Sequence, residues 1–215
     1  MTHVLDHTRA PAPIPEAAAD VLRELAGIPA GGAVDTLRDL RPAARENAQL
    51  TYRLLFAPDD GGEVSAVDRL AVAVFVAGLH REERAVSHYR RALLAAGGTD
   101  ALAATLAAEA GTASIAGPAG TYREPGLAAE SLPVAAYRVV AREVLGERLA
   151  VAVEHARLLV LHPRDAGPAA LERLVAAGWT ASGTVTLSQL VAFLAYQLRA
   201  AAGLSVLHAT PGDPR

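Results

Sequence analysis

Residues 65–79 read Ser-Ala-Val-Asp-Arg-Leu-Ala-Val-Ala-Val-Phe-Val-Ala-Gly-Leu, and after Arg69 no strongly polar side chain appears until His80. A helix that is apolar on nearly every side has no face to turn to water, so other elements must enclose it. Ser65 followed by Asp68 has the form of a capping box and sets the start of this helix. Gly78 and His80 mark its end. The rest of the chain must therefore supply partners that are apolar on one side.

It does so with helical spacing and without any sustained period-two alternation, which predicts an all-α protein needing no strands. Pro15 opens a segment in which Val21, Leu22 and Leu25 share a face, and Gly27 stands where a left-handed C-cap belongs. A short helical turn at 34–40 leads to Pro42, suited to the first position of a helix over 42–56 with Leu50, Leu54 and Leu55 facing the core. Residues 57–64, with Pro58, Asp59, Asp60, Gly61 and Gly62, read as a loop. A helix over 82–96 sets Arg84, Arg90 and Arg91 against Ala85, Leu93 and Leu94, and Thr99 caps an alanine-rich helix to Ala110.

Residues 111–133 hold four Gly and three Pro and read as a long irregular connection. Beyond it come a short helix at 137–145, a longer one at 147–161, a loop at 162–165, a helix at 168–177 and a last long helix at 181–202 that stops at Gly203. The organisation expected is a flexible arm (1–14), a helical half carrying the motif region (15–110), the connection (111–133), a second and related helical half (134–207) and a flexible tail (208–215).

Composition narrows the chemistry. The chain has no Cys, and its 20 basic residues are all Arg, so thiol chemistry, disulfides, Schiff-base formation and Lys-dependent phosphate loops are excluded. With 23 acidic residues the formal charge is −3, which gives no basic footprint for nucleic acid. Uninterrupted apolar runs reach about ten residues, roughly half a bilayer span. The expectation is a soluble, cytoplasmic protein that binds neither membrane nor nucleic acid.

Residues 68–97 resemble the core motif of the carboxymuconolactone decarboxylase and alkylhydroperoxidase D superfamily. There an apolar helix begins Arg-Glu-Leu, ends at a Cys-x-x-Cys pair, and is followed by a His and a small-residue helix ending in Gly. Here the row reads Asp68-Arg69-Leu70, His80-Arg81-Glu82-Glu83-Arg84, His88-Tyr89 and Gly97 without a gap. The loop His162-Pro163-Arg164-Asp165, the turn Ala177-Gly178-Trp179 and the run Val185-Thr186-Leu187-Ser188-Gln189-Leu190 with Tyr196 and Arg199 are similar to the second half of peroxidase-related members. The resemblance spans about residues 15–207. It implies a helical fold of two related halves. It places the family's proton-relay Glu at Arg69, its two cysteines at Arg81 and Arg84, and its His at His88.

Guanidinium groups can neither attack a peroxide nor be oxidised, so the dithiol peroxidase mechanism is absent. Two function classes remain open. One is a degenerate scaffold, assembled as a dimer or trimer-based homo-oligomer or with a Cys-containing relative. The other is a decarboxylase- or isomerase-type enzyme in which His88 does acid/base work on a small anionic or lactone-like substrate held by Arg69, Arg81, Arg84 and Tyr196. The plainer reading of His88 is a side chain packed at a helix junction and hydrogen-bonded to a carbonyl, and that of the Arg-rich face is a solvated or ion-paired surface. No cofactor is implied. His80 and His88 stand eight apart, and His155 and His162 seven apart, which suits no helical metal pair, so no metal is expected. Trp179 is expected to anchor the last helix.

Overall fold

The computed structural model describes residues 20–58, 62–115 and 119–210. The architecture is all-helical, with one isolated antiparallel bridge, Gly120 to Leu132, and no strand among the described residues. The expected arm at 1–14, the helix opening at Pro15, and the end of the tail lie outside the described residues.

The apolar helix predicted at 65–79 is α4 (Ala66–Leu79), and Ser65 Oγ accepts from the Asp68 amide as the capping pattern requires. Its residues from Leu70 to Ala77 are all buried. Around it pack α3 (Pro42–Phe56), α5 (Glu83–Ala95), α6 (Asp100–Ala113), α7 (Arg142–Leu161) and α9 (Ala181–Ala209). Each large apolar side chain so enclosed contributes roughly 1.5–3 kcal/mol. Gly78 makes one of these contacts possible, because a Cβ there would sit 2.6 Å from the Ala110 Cβ on α6.

α1 (Val21–Ala26) and α2 (Ala33–Leu37) lie against α9, so the first and last elements meet. Gly27 closes α1 with φ 65°, as its position predicts. α8 (Pro168–Ala176) packs on α7 and α9. Trp179 is buried and its indole N–H donates to the Arg148 carbonyl, which ties the start of α9 to α7.

Several boundaries and faces differ from expectation. Leu50 and Leu54 are 51% and 58% exposed, and Leu55 is partly buried; α3 instead buries Ala48, Tyr52 and Phe56, a stripe four residues apart. The stretch before Arg142 is not helical. Its amides bond elsewhere, Val139 N–H to Glu154 Oε1 and Ala141 N–H to Glu109 Oε1, which removes the donors a helix there would use. The break expected between two helices near residue 146 is present as Gly146, with φ 73° and ψ 158° inside α7. α6 runs to Ala113 rather than Ala110. α9 continues through Gly203 to Ala209, so residue 208 begins no tail; Leu204 still packs on the core and holds this last turn.

By length and composition α9 is long and apolar enough to cross a membrane, with a mean hydropathy of 1.6 over its best window. The expectation from short uninterrupted runs missed this, because single polar residues divide the window. In the fold Leu187, Leu190, Leu194 and Leu198 of α9 are core residues.

Candidate functional site

The motif region lies at the α4–α5 turn. Arg69 is buried at the start of α4, where Nε donates to the Val64 carbonyl and Nη1 to the Leu55 carbonyl, joining α4 to the C-terminal end of α3. Arg81 occupies the turn itself with φ 57°, a left-handed conformation that normally favours Gly, and Nη2 donates to Ser114 Oγ at 3.3 Å. Arg84 donates to the Ala26 carbonyl and its guanidinium fills the space beside Gly27. Tyr196, on α9, is 49% exposed and tilts against Phe193. These four residues named from the sequence thus serve separate local contacts.

His88 is buried on α5, held at both nitrogens. Nδ1 is 2.9 Å from Glu24 Oε1, and Nε2 is 2.8 Å from the Tyr52 hydroxyl. A carboxylate only accepts, so Nδ1 carries a proton, and with the ring neutral the Tyr52 O–H donates to Nε2. Burial, with the Glu24 charge adding, pushes the Tyr52 phenol well up and keeps it a donor. Tyr89 beside it donates to Gln197 on α9, and burial likewise raises its pKa. Glu24 also meets Arg91 at 3.4 Å and, with Arg84, Glu83 and Ser87, borders an open depression of about 320 Å³.

A second and better enclosed cavity, about 310 Å³, lies between α7, α8 and the segment before α7. Val134, Val151, Leu158 and Ala170 give it apolar walls, and Tyr137, Glu154, His155, Arg157, His162, Asp165 and Arg173 supply polar groups. Glu154 is buried and receives three guanidinium groups, from Arg138, Arg142 and Arg173. Tyr137 donates to Glu109. Burial pushes the Glu109 carboxyl up, but this bond and the Ala141 and Val140 amides outweigh it and hold the pKa below the ordinary value. Arg157 donates from Nε to the Ala113 carbonyl at 2.9 Å and from Nη1 to His162 Nε2 at 3.1 Å. It lies 5.1 Å from the centre of the Tyr137 ring. His155 Nε2 is 3.1 Å from Ser188 Oγ, whose own hydroxyl donates to the Thr184 carbonyl, so His155 keeps its proton on Nε2 and its lone pair on Nδ1. That Nδ1 has no hydrogen-bond partner among the described residues, and burial lowers the pKa of the ring.

The sequence reading weighed His155 and His162 only as a metal pair and passed over Arg157, Tyr137, Glu154 and Arg173. The signal available was the density of titratable residues on an otherwise apolar stretch, 154–165. Among the described residues no cluster of His, Asp and Glu has the arrangement of a metal site.

No protein-family model, curated protein or solved structure matches the chain.

Proposed function

We propose that this chain is a cysteine-free relative of the carboxymuconolactone decarboxylase and alkylhydroperoxidase D type whose former dithiol position has become structural, leaving a helical scaffold that assembles as a homo-oligomer. The observation that carries this reading is the bonding of His88: with Glu24 on one nitrogen and the buried Tyr52 on the other, the ring has no lone pair for a substrate. Arg81 and Arg84, at the cysteine positions of the motif, each donate one hydrogen bond to a structural partner, Ser114 Oγ and the Ala26 carbonyl. Leu50 and Leu54, exposed one turn apart on α3, and Leu37 and Leu40 on the preceding segment give the apolar surface that a partner copy would cover.

A second reading rests on Glu24. Because it reaches both His88 and the depression bordered by Arg84 and Arg91, an anionic or lactone-like molecule there would meet a carboxylate backed by the imidazole, as acid/base chemistry of the decarboxylase or isomerase type requires.

The experiment is to assay the purified chain and its His88→Ala variant for hydroperoxide reduction with a dithiol and for lactone and small-carboxylate turnover, with light scattering on both. No turnover and an oligomer larger than the monomer support the scaffold. Turnover that falls at least tenfold in His88→Ala establishes the second reading, and a monomer at micromolar concentration overturns the assembly.

A further inference from the structure

The α7 cavity holds a buried cation without an acid. Arg157 is 5% exposed, yet its hydrogen-bond partners are a backbone carbonyl and a neutral imidazole nitrogen. Burying a guanidinium is costly unless a negative charge balances it. The nearby carboxylates are already engaged: Glu154 by Arg138, Arg142 and Arg173, and Asp165 by His162 Nδ1 and the Thr121 amide. Nη2 of Arg157 makes no hydrogen bond among the described residues, and Arg157 belongs to the cavity wall.

The volume, about 310 Å³, is at the lower end of small-molecule sites. Val134, Val151, Leu158 and Ala170 form the apolar part of the lining, which matches a hydrocarbon body. Glu154 and Arg173, which pair with each other, also line the cavity, and Asp165 there already holds His162.

We propose that this cavity is a binding site for a small organic monocarboxylate, its carboxylate on Arg157 and its apolar body against Val151, Leu158 and Ala170. The class of ligand is set by one guanidinium without an acid partner and by an apolar enclosure suited to a hydrocarbon body. The site is separate from the His88 region and stands whether that region is scaffold or catalyst.

The test is calorimetry and thermal shift on the full chain with benzoate and hexanoate, against benzyl alcohol, succinate and inorganic phosphate. A ligand that binds only the folded state raises the melting temperature. Benzoate or hexanoate is expected to bind at least tenfold more tightly than benzyl alcohol and than succinate. Arg157→Met is expected to remove that preference. Because Arg157 also supports the Ala113 carbonyl, that variant can fail to fold, and Ala170→Trp, which fills the cavity from α8, supplies a second arm with an expected loss of at least tenfold. His88→Ala should bind as the parent does. The proposal is overturned if neither monocarboxylate binds at about 10 mM, where a millimolar site would be nearly saturated. Equal binding of the neutral or dicarboxylate probes, or unchanged binding in Ala170→Trp, overturns it equally.

Discussion

Arg157 fixes the tautomer of His162. Its guanidinium donates to Nε2 at 3.1 Å, so the lone pair lies there and the ring proton is on Nδ1, 3.2 Å from Asp165 Oδ2. The imidazole thus links a buried cation to a carboxylate that also accepts from the Thr121 amide, joining α7 to the segment after α6 through one side chain.

Replacing His162 with Ala strands a buried guanidinium donor and one lone pair of Asp165 together. An unmade buried bond of this kind costs about 1–3 kcal/mol. His162→Ala should therefore unfold at clearly lower denaturant than the parent with an unchanged slope, and His162→Gln, which keeps an acceptor, should recover part of the loss. Urea unfolding followed by circular dichroism measures both.

The helical class was legible because α4 needs enclosure and the segments around it repeat at helical spacing. The α3 face was not. Leu50 and Leu54 are the more apolar choices by type, but Tyr52 and Phe56 carry the larger rings, and these reach Tyr89 and His88 in the interior. His88 was singled out for acid/base work from the motif, but the groups that hold its ring, Glu24 and Tyr52, stand 64 and 36 residues away in the chain and carry no motif. The α7 cavity was hidden for the same reason, since Tyr137, Arg157 and Arg173 come from three segments that only the tertiary fold brings together.

Tyr89 and Gln197 form a wholly buried polar pair between α5 and α9, and Gln197 Nε2 has no hydrogen-bond partner among the described residues. Tyr89→Phe removes the donor to Gln197 Oε1 and should cost about 1–3 kcal/mol. Adding Gln197→Met removes the stranded amide as well, so the double variant should be more stable than Tyr89→Phe alone. A thermal-denaturation double-mutant cycle reads the coupling, and additive losses would show that the pair contributes nothing jointly.

His80 predicts a specific acid sensitivity. Burial, with Arg199 adding repulsion, lowers its pKa to about 4, whereas in the unfolded chain it titrates near 6.5. Between those values the unfolded chain takes up a proton that the folded chain does not, so stability falls as pH drops from about 6.5 to about 4. His155, also lowered by burial, acts in the same direction. Asp20 and Glu109 have pKa values held below their ordinary ones, so their share is lost only at lower pH still. His80→Gln should lose less stability than the parent between pH 6.5 and 4, as shown by melting temperatures across that range, and parallel curves would refute the assignment.

Two glycines in helices should respond to alanine with opposite signs, although a Cβ meets nothing within 4 Å at either. Gly203 lies inside α9, where glycine gives up backbone entropy on folding without need; Gly203→Ala should raise stability by roughly 0.5–1 kcal/mol. Gly146, with φ 73° and ψ 158°, occupies a region essentially closed to side-chain-bearing residues, and it turns the chain so that Arg142 can reach both Glu147 and Glu154. Gly146→Ala must either hold a strained backbone, costing about 1–3 kcal/mol, or straighten α7 and pull Arg142 away from buried Glu154. Both routes lower stability, and they separate on Arg142→Met. If the backbone is merely strained, the losses from Gly146→Ala and Arg142→Met add. If α7 straightens, Gly146→Ala has already broken the Arg142 contact, and the second substitution costs little more.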